Sequence, residues 1–180
     1  MAIKEKSPSQ RILDDMKELA RIASIMVDGD VSMRIISSRA AHYIANPHPQ
    51  YRFLASDYYD VDHGSFLLIK KTLLRLERLV KFDCNATLWV RVEGAPEWLT
   101  PVVHNGNLHR YYTFGMSRME PVPKMTECLD KGRVVAESAT KNDKYLTVLA
   151  PVRDSLGDIV GCVEFTASNP ANAKLRPAWN

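Results

Sequence analysis

Side chains that could bind a small molecule alternate along the predicted strands in the second half of the chain. Because side chains in a strand repeat with a period of two, one face of the predicted sheet collects polar and aromatic residues. These residues are Trp89, Arg91, His104, Tyr112, Tyr145 and Thr147. Ligand pockets combine apolar and aromatic walls with a few placed polar groups, so the set predicts a ligand-binding site. A register error of one residue would exchange each member for its neighbour.

Arg91 has the most specific chemistry in this set. A guanidinium can hold a carboxylate in a bidentate fork, which favours a small organic acid or an amino acid as the ligand. In the alternative interpretation, Trp89 packs under the amino-terminal helix while Arg91 faces water or pairs with Glu164.

Motifs typical of enzymes and metal sites are missing from the sequence. It has no HExxH, GxSxG, GxGxxG or GxxxxGK[ST] motif, so we predict no enzyme activity. The five histidines form no i,i+4 ligand pair, so no metal site or cofactor is predicted, with a non-covalent haem as a minor alternative. Asp57, Asp60 and Asp62 lack the spacing of a calcium loop and are predicted to cap and solvate a helix.

The segment 144–167 predicts the hairpin around which the sheet is built. Apolar residues alternate on both sides of the turn sequence DSLGD, in which Gly157 is free to adopt a positive φ. The run APVRDSLGDIVGCVEF resembles the last two strands of the PAS, GAF and Cache group of sensor domains. The resemblance, closest to PAS and Cache, implies a small-ligand sensor on one antiparallel sheet, with an insertion between early and late strands that covers the pocket. It defines a fold more securely than a function.

The order of predicted elements gives the fold class and the domain division. Three helices, over 7–28, 30–45 and 62–81, precede the sheet, and Gly29 is predicted to cap the first one in the left-handed conformation. We predict an α+β fold with a PAS/Cache-like (profilin-like) antiparallel sheet of five to six strands. The strands are predicted at 86–92, 98–104, 108–114, 133–138 and in the closing hairpin, with a short helix at 124–130. The predicted division is a helical region 1–82, a sensor sheet 83–168 and a loose tail 169–180.

The first helix carries a heptad-like apolar seam that predicts a homodimer. Its members alternate in steps of four and three: Ile12, Met16, Leu19, Ala23 and Met26. Two heptads are short for a coiled coil, and the alternative is an amphipathic helix that packs on its own domain.

Composition and charge set limits on the partners. With 46% apolar residues, 25% charged residues and a formal charge of +3, the chain is typical of a globular protein and no nucleic-acid partner is predicted. The basic face of the third helix (Lys70, Lys71, Arg75, Arg78 and Lys81) is interpreted as solvated, with nucleic-acid binding as a minor alternative. Three dispersed cysteines predict free buried thiols rather than disulfides.

The sequence shows neither a signal peptide nor a membrane span, so the expected location is the cytoplasm. Many Cache domains lie outside the cell, so an excised sensor domain would be the exception. The predicted function is a dimeric sensor that binds a small molecule and signals through a separate output protein. A ligand-free adaptor module and a haem sensor are the alternatives.

Overall fold

A computed structural model describes residues 6–50, 59–106, 118–137 and 143–172 of the chain. The helices in these ranges are α1 (Pro8–Met26), α2 (Gly29–Arg34), α3 (Ser38–Ala45), α4 (His63–Glu77) and α5 (Pro123–Lys131). The strands are β1 (Cys84–Val92), β2 (Ala95–His104), β3 (Val135–Ala136), β4 (Tyr145–Arg153) and β5 (Ile159–Ser168), followed by a 3₁₀ turn, Pro170–Asn172.

The strands form one antiparallel sheet in the order β2-β1-β5-β4-β3. The predicted hairpin is confirmed: β4 and β5 pair along their length, and Gly157 takes a φ of 91° in the turn. β5 then lies between β4 and β1 at the centre of the sheet. The predicted α+β class with a single antiparallel sheet is therefore confirmed.

The amino-terminal helices begin at capping residues, but their division differs from the one predicted from the sequence. Ser7 caps α1 by accepting a hydrogen bond from the Gln10 backbone N–H. Gly29 is not a left-handed cap; it begins α2 after the Asp28 cap, and a Cβ there would lie 2.3 Å from the Arg153 carbonyl oxygen. Close packing against β4, rather than helix termination, therefore requires this glycine.

The predicted helix over 30–45 is two helices, α2 and α3, so the described ranges hold four helices before the sheet instead of three. The chain breaks because Ile36 forms an isolated antiparallel bridge with Val61, and Ser37 caps α3. Asp60 fixes this break: it is 2% exposed, accepts from the Ser37 hydroxyl at 2.7 Å and from the Arg39 guanidinium. Its carboxylate thus anchors α3.

One face of the sheet, here called the helix face, is covered by α1–α4. Its core contains side chains from all four helices and the four longest strands, with Phe165 and Leu88 fully buried at the centre. Three residues of the predicted dimer seam also lie in it, Met16, Leu19 and Ala23, none more than 2% exposed. They pack inside their own chain, as in the alternative interpretation of the seam.

One further sequence prediction lies outside the described residues, and two differ in detail from the structure. The predicted strand 108–114 lies outside the described residues. Met119, in the described range that follows, exchanges backbone hydrogen bonds with Leu99 of β2. β3 has two residues rather than the six of 133–138. Asn169, the first residue of the predicted loose tail, is 2% exposed and accepts a 2.7 Å hydrogen bond from the Ser9 hydroxyl.

Candidate ligand-binding site

On the opposite face of the sheet, here called the α5 face, the described residues supply one covering helix, α5. α5 begins with Pro123 at its first turn and ends at Gly132, whose φ is 59°. It packs on the strands through a second, smaller core formed by Leu99, Met125, Cys128, Leu129, Val135, Leu149 and Cys162. Beside this core the strand side chains of the face are half-buried, which leaves part of the sheet accessible.

Strand register places a row of polar side chains across the α5 face. Glu164 of β5 lies opposite Thr87 of β1, and Thr87 lies opposite His104 of β2. Opposed residues in an antiparallel pair project to the same side of the sheet, so the three form one row. All three are half-buried, and a parallel row of Asn85, Thr166 and Thr147 lies next to them.

Glu164 is the central acidic group of this face. It lies opposite Leu149 on one side and Thr87 on the other, and the Trp89 indole Nε1 donates a 2.9 Å hydrogen bond to Oε2. Trp89 itself packs against the smaller core next to Cys162. A half-buried carboxylate held by an indole is fixed in position and can accept further hydrogen bonds through its remaining lone pairs.

Arg91 lies on the same face as Trp89, two residues further along β1. Its Nη1 donates a 3.0 Å hydrogen bond to the carbonyl oxygen of Pro96, in the strand that follows the β1–β2 turn. The predicted alternative, a pair with Glu164, is not what the structure shows, because Glu164 accepts from Trp89 instead. A guanidinium has five N–H donors, so this single contact leaves capacity for a ligand.

Burial, more than nearby charge, sets the pKa values of the two thiols under this face. It raises the pKa of Cys162 well above its ordinary value, with smaller raising effects from Cys128 and Glu164 and an opposing one from Arg91. Burial likewise raises the pKa of the Cys128 thiol to about 12. Both cysteines are fully buried and act as apolar packing residues.

His104 lies at the end of the polar row, where β2 meets α4. Burial lowers the pKa of this imidazole, the nearby Lys70 ammonium lowers it further, and Glu77 opposes both. Lys70 donates to the carbonyl oxygens of His104 and Asn105, so the end of β2 is bound to α4. Burial and the Lys70 charge therefore both favour the neutral form of this imidazole.

The structure brings together part of the predicted site. Trp89 and Arg91 are neighbours on the α5 face, while Thr147 and His104 lie in the polar rows beside them. Tyr145 is 51% exposed at the start of β4, with the Lys144 ammonium 5.3 Å from its ring centroid. The prediction for Tyr112 lies outside the described residues.

Glu164 was predicted from the sequence only as a possible partner for Arg91 and not as a residue of the site. The signal was present: alternation along β5 places Glu164 and Thr166 on the face opposite Val163 and Phe165. A carboxylate in the middle of an apolar closing strand is costly to bury and is informative for that reason.

Two open grooves flank α1, away from the α5 face. One, of about 370 Å³, lies between α1 and the segment that contains Val134 and Ala136; the other, of about 360 Å³, lies between α1 and Leu79–Lys81. Charged residues of α1 line both grooves and are largely paired with one another, such as Arg21 with Glu18 at 2.6 Å. Among the described residues, no cluster of three metal-ligating side chains occurs.

No protein-family model matches the chain, and no curated protein matches it. Two solved structures from Campylobacter jejuni are similar at 11% identity. One is the ligand-binding domain of the chemoreceptor Tlp3 in complex with 4-methylisoleucine, with a TM-score of 0.42 over 91% of this chain and 61% of that one. The other is the sensory domain of Tlp3 (CcmL), with a TM-score of 0.43 over 88% and 61%. The chain thus spans about three fifths of the length of these structures.

The expectation of a cytoplasmic protein is wrong. It rested on the lack of an apolar span, whereas the solved domains similar to the chain are sensory and ligand-binding domains of a chemoreceptor. None of the helices in the described ranges has the length and apolar character that crossing a membrane requires.

Proposed function

We propose that the chain is a sensor domain that binds a small molecule on the α5 face and acts in signal transduction. The observation that carries the proposal is the half-buried Glu164 carboxylate, held by Trp89 in the middle of the sheet between Leu149 and Thr87. A purely structural sheet face would favour an apolar residue there, because half-burying a carboxylate costs solvation free energy.

The ligand is proposed to carry both a donor group and a carboxylate. Glu164 would accept hydrogen bonds from the donor group, and Arg91, two positions from Trp89 on β1, would bind the carboxylate through the N–H groups that Pro96 leaves free. Trp89 and the smaller core supply the apolar wall that such sites need. His104, Thr147 and Tyr145 would then lie toward the outer part of the site.

Native mass spectrometry of the chain, purified without added ligand, tests the proposal. An adduct of roughly 100–600 Da per chain, the range of ordinary small-ligand pockets, is expected. Glu164→Gln and Arg91→Ala should each remove it while the chain stays folded. Glu97→Gln, an exposed acidic residue of β2, is the matched control and should keep it.

If the bare chain shows no adduct and no metabolite raises its melting temperature, the adaptor interpretation replaces the sensor. If an adduct persists in both Glu164→Gln and Arg91→Ala, the ligand binds elsewhere and the α5 face is the wrong site. A coloured protein with a Soret band would instead indicate haem.

A homodimer remains part of the proposal, through the carboxyl-terminal end of α1. Because the middle of the predicted seam is internal, the exposed apolar residues of α1 that a second subunit could contact are Ile25 and the last seam residue, Met26, which are 72% and 56% exposed. We expect Ile25→Glu combined with Met26→Glu to halve the mass measured by light scattering. Leu156→Glu, at the tip of the β4–β5 hairpin, should leave it unchanged. A wild-type monomer would contradict the dimer. The output partner is proposed to be a separate protein.

A further inference from the structure

The outward side of α4 has a composition that neither core nor the candidate site explains. Leu67, Lys71, Arg75 and Arg78 follow one another at steps of four, four and three, so they lie along one side of the helix. All four are exposed, and Leu67 shows 52% of its surface. Three further exposed residues flank this stripe: Leu68, Leu79 and Lys81. We call these seven residues the α4 stripe.

The cations of the α4 stripe differ from most others in the described ranges. Lys17 and Arg21 of α1 lie within ion-pair distance of acidic residues three positions away, and Lys131 pairs with Glu127 at 3.0 Å. Among the described residues, the four cations of the stripe make no such ion pair. Their charge is therefore not neutralised within the domain.

The acidic residue of this segment is turned away from the stripe. Glu77 accepts a 2.9 Å hydrogen bond from the Asn105 side chain, on the inward side where α4 meets the end of β2. Asn105 is buried and also donates to the Cys84 carbonyl oxygen, so Glu77 is held there. Glu77 and Lys70 of α4 thus face inward, whereas Lys71, Arg75 and Arg78 are exposed on the outward side.

We propose that the α4 stripe docks the domain on an anionic lipid surface. Clustered lysines and arginines on a helix are attracted to acidic headgroups, each by a modest amount, and leucines beside them gain by entering the apolar layer. Charge complementarity selects the anionic surface, and the exposed leucines select lipid over nucleic acid. Phosphate contacts gain nothing from leucine, and the stripe contains no aromatic residue on which a base could stack.

Cosedimentation with vesicles tests this proposal on the whole chain. We expect binding to vesicles of phosphatidylglycerol and phosphatidylcholine in equal parts, no binding to phosphatidylcholine alone, and loss of binding in 0.5 M salt. Lys71→Gln combined with Arg75→Gln should lower the partition coefficient about 30-fold, from about fivefold per removed charge. Leu67→Ser combined with Leu68→Ser should lower the partition coefficient by a smaller factor.

The matched control is Lys17→Gln combined with Arg21→Gln, which removes two exposed cations that α1 already neutralises. Binding should be unchanged, and circular dichroism should show that all variants are folded. The proposal is overturned if wild type does not sediment with anionic vesicles, if neutral vesicles bind it equally, or if the α1 control loses as much binding as the α4 variant. Equal or tighter binding to a short DNA duplex at the same salt would overturn lipid as the partner.

Discussion

The two faces of the sheet are made from the same strands but are completed in different ways. Four helices cover the helix face, and the strand side chains that face them are apolar and almost fully buried. The α5 face receives one short helix and a core of seven residues, and beside that core its strands present Thr87, Glu164 and Thr147 half-exposed. The first face supplies most of the stability, and the second has the polar groups that a ligand could use.

This difference shows how a single strand can serve stability and recognition together. In β1 the residues Leu88 and Val90 point into the larger core, while Trp89 and Arg91 alternate with them toward the α5 face. A substitution at Leu88 or Val90 should therefore mainly lower the free energy of unfolding, and a substitution at Trp89 or Arg91 should mainly weaken binding of the proposed ligand.

The largest expected loss of stability comes from truncating a leucine of β4, and two such leucines allow the faces to be compared. Leu146 lies in the core of the helix face and Leu149 in the smaller core, and each is 2% exposed. We expect Leu146→Ala to lower the free energy of unfolding by about 4 kcal/mol and Leu149→Ala by about 2 kcal/mol, because a small core at a half-covered face can collapse around the cavity. Urea unfolding measures both. Equal losses would show that the α5 face is packed as tightly as the helix face.

Asn105 joins α4 to the sheet edge, and its replacement should cause the next largest loss of stability. Its side chain accepts from the Ala86 and Gly106 N–H groups and donates to Glu77 and the Cys84 carbonyl. Asn105→Ala leaves buried backbone groups unsatisfied, and we expect a loss of about 2–3 kcal/mol in the free energy of unfolding. Asn85→Ala, at an exposed position, should cost little. A loss below that of Asn85→Ala would show that water replaces these contacts.

The Trp89–Glu164 hydrogen bond tests the α5 face itself. Trp89→Phe keeps an aromatic ring but removes the indole N–H, so we expect a loss of about 2 kcal/mol in the free energy of unfolding, within the range for hydrogen bonds to charged groups, and loss of the native adduct. Trp98→Phe controls for replacing a tryptophan outside this contact. Unchanged stability and unchanged adduct in Trp89→Phe would remove Glu164 from the proposed site.

The cysteines should report the burial of both faces at alkaline pH. Burial raises the pKa of Cys84, under the helix face, and of Cys128, under the α5 face, each to about 12. Unfolded thiols titrate at about 8.5, so their contribution to stability is complete below that pH and is lost as pH rises toward 12. We expect no thiol to react with Ellman's reagent at pH 8 in the native chain. Faster labelling of Cys128 and Cys162 than of Cys84 would show that the α5 face opens first.

The smallest effect concerns His104 at the edge between the faces. Its pKa is lowered in the folded state, so the unfolded chain takes up the proton first, near pH 6.5. Its contribution to stability is therefore present above pH 6.5 and is lost as pH falls further. His104→Gln should flatten this decline in urea midpoints between pH 6.5 and 5, whereas exposed His42→Gln should not. An identical decline in both variants would contradict the assignment.

Sequence periodicity predicted the hairpin, β1, β2, α4 and α5 because each has a strong local signal. Alternating apolar residues, the Gly157 turn and the Asp62 cap depend on neighbours in the chain, and all three appear as predicted. The α2–α3 break was missed because its cause is the pairing of Ile36 with Val61, 25 residues away. The same limit applies to the seam of α1, since a heptad pattern does not say which surface it packs on.

The sequence by itself determined the α+β class and the set of residues that share each face of a strand, since both follow from side-chain period and turn chemistry. Only the tertiary structure decided that Met16 and Leu19 pack inside their own chain and that Glu164 accepts from Trp89 rather than from Arg91. It also decided that Glu77 turns inward, away from the exposed cations of the α4 stripe. These outcomes depend on contacts between segments far apart in the chain, and no local pattern contains that information.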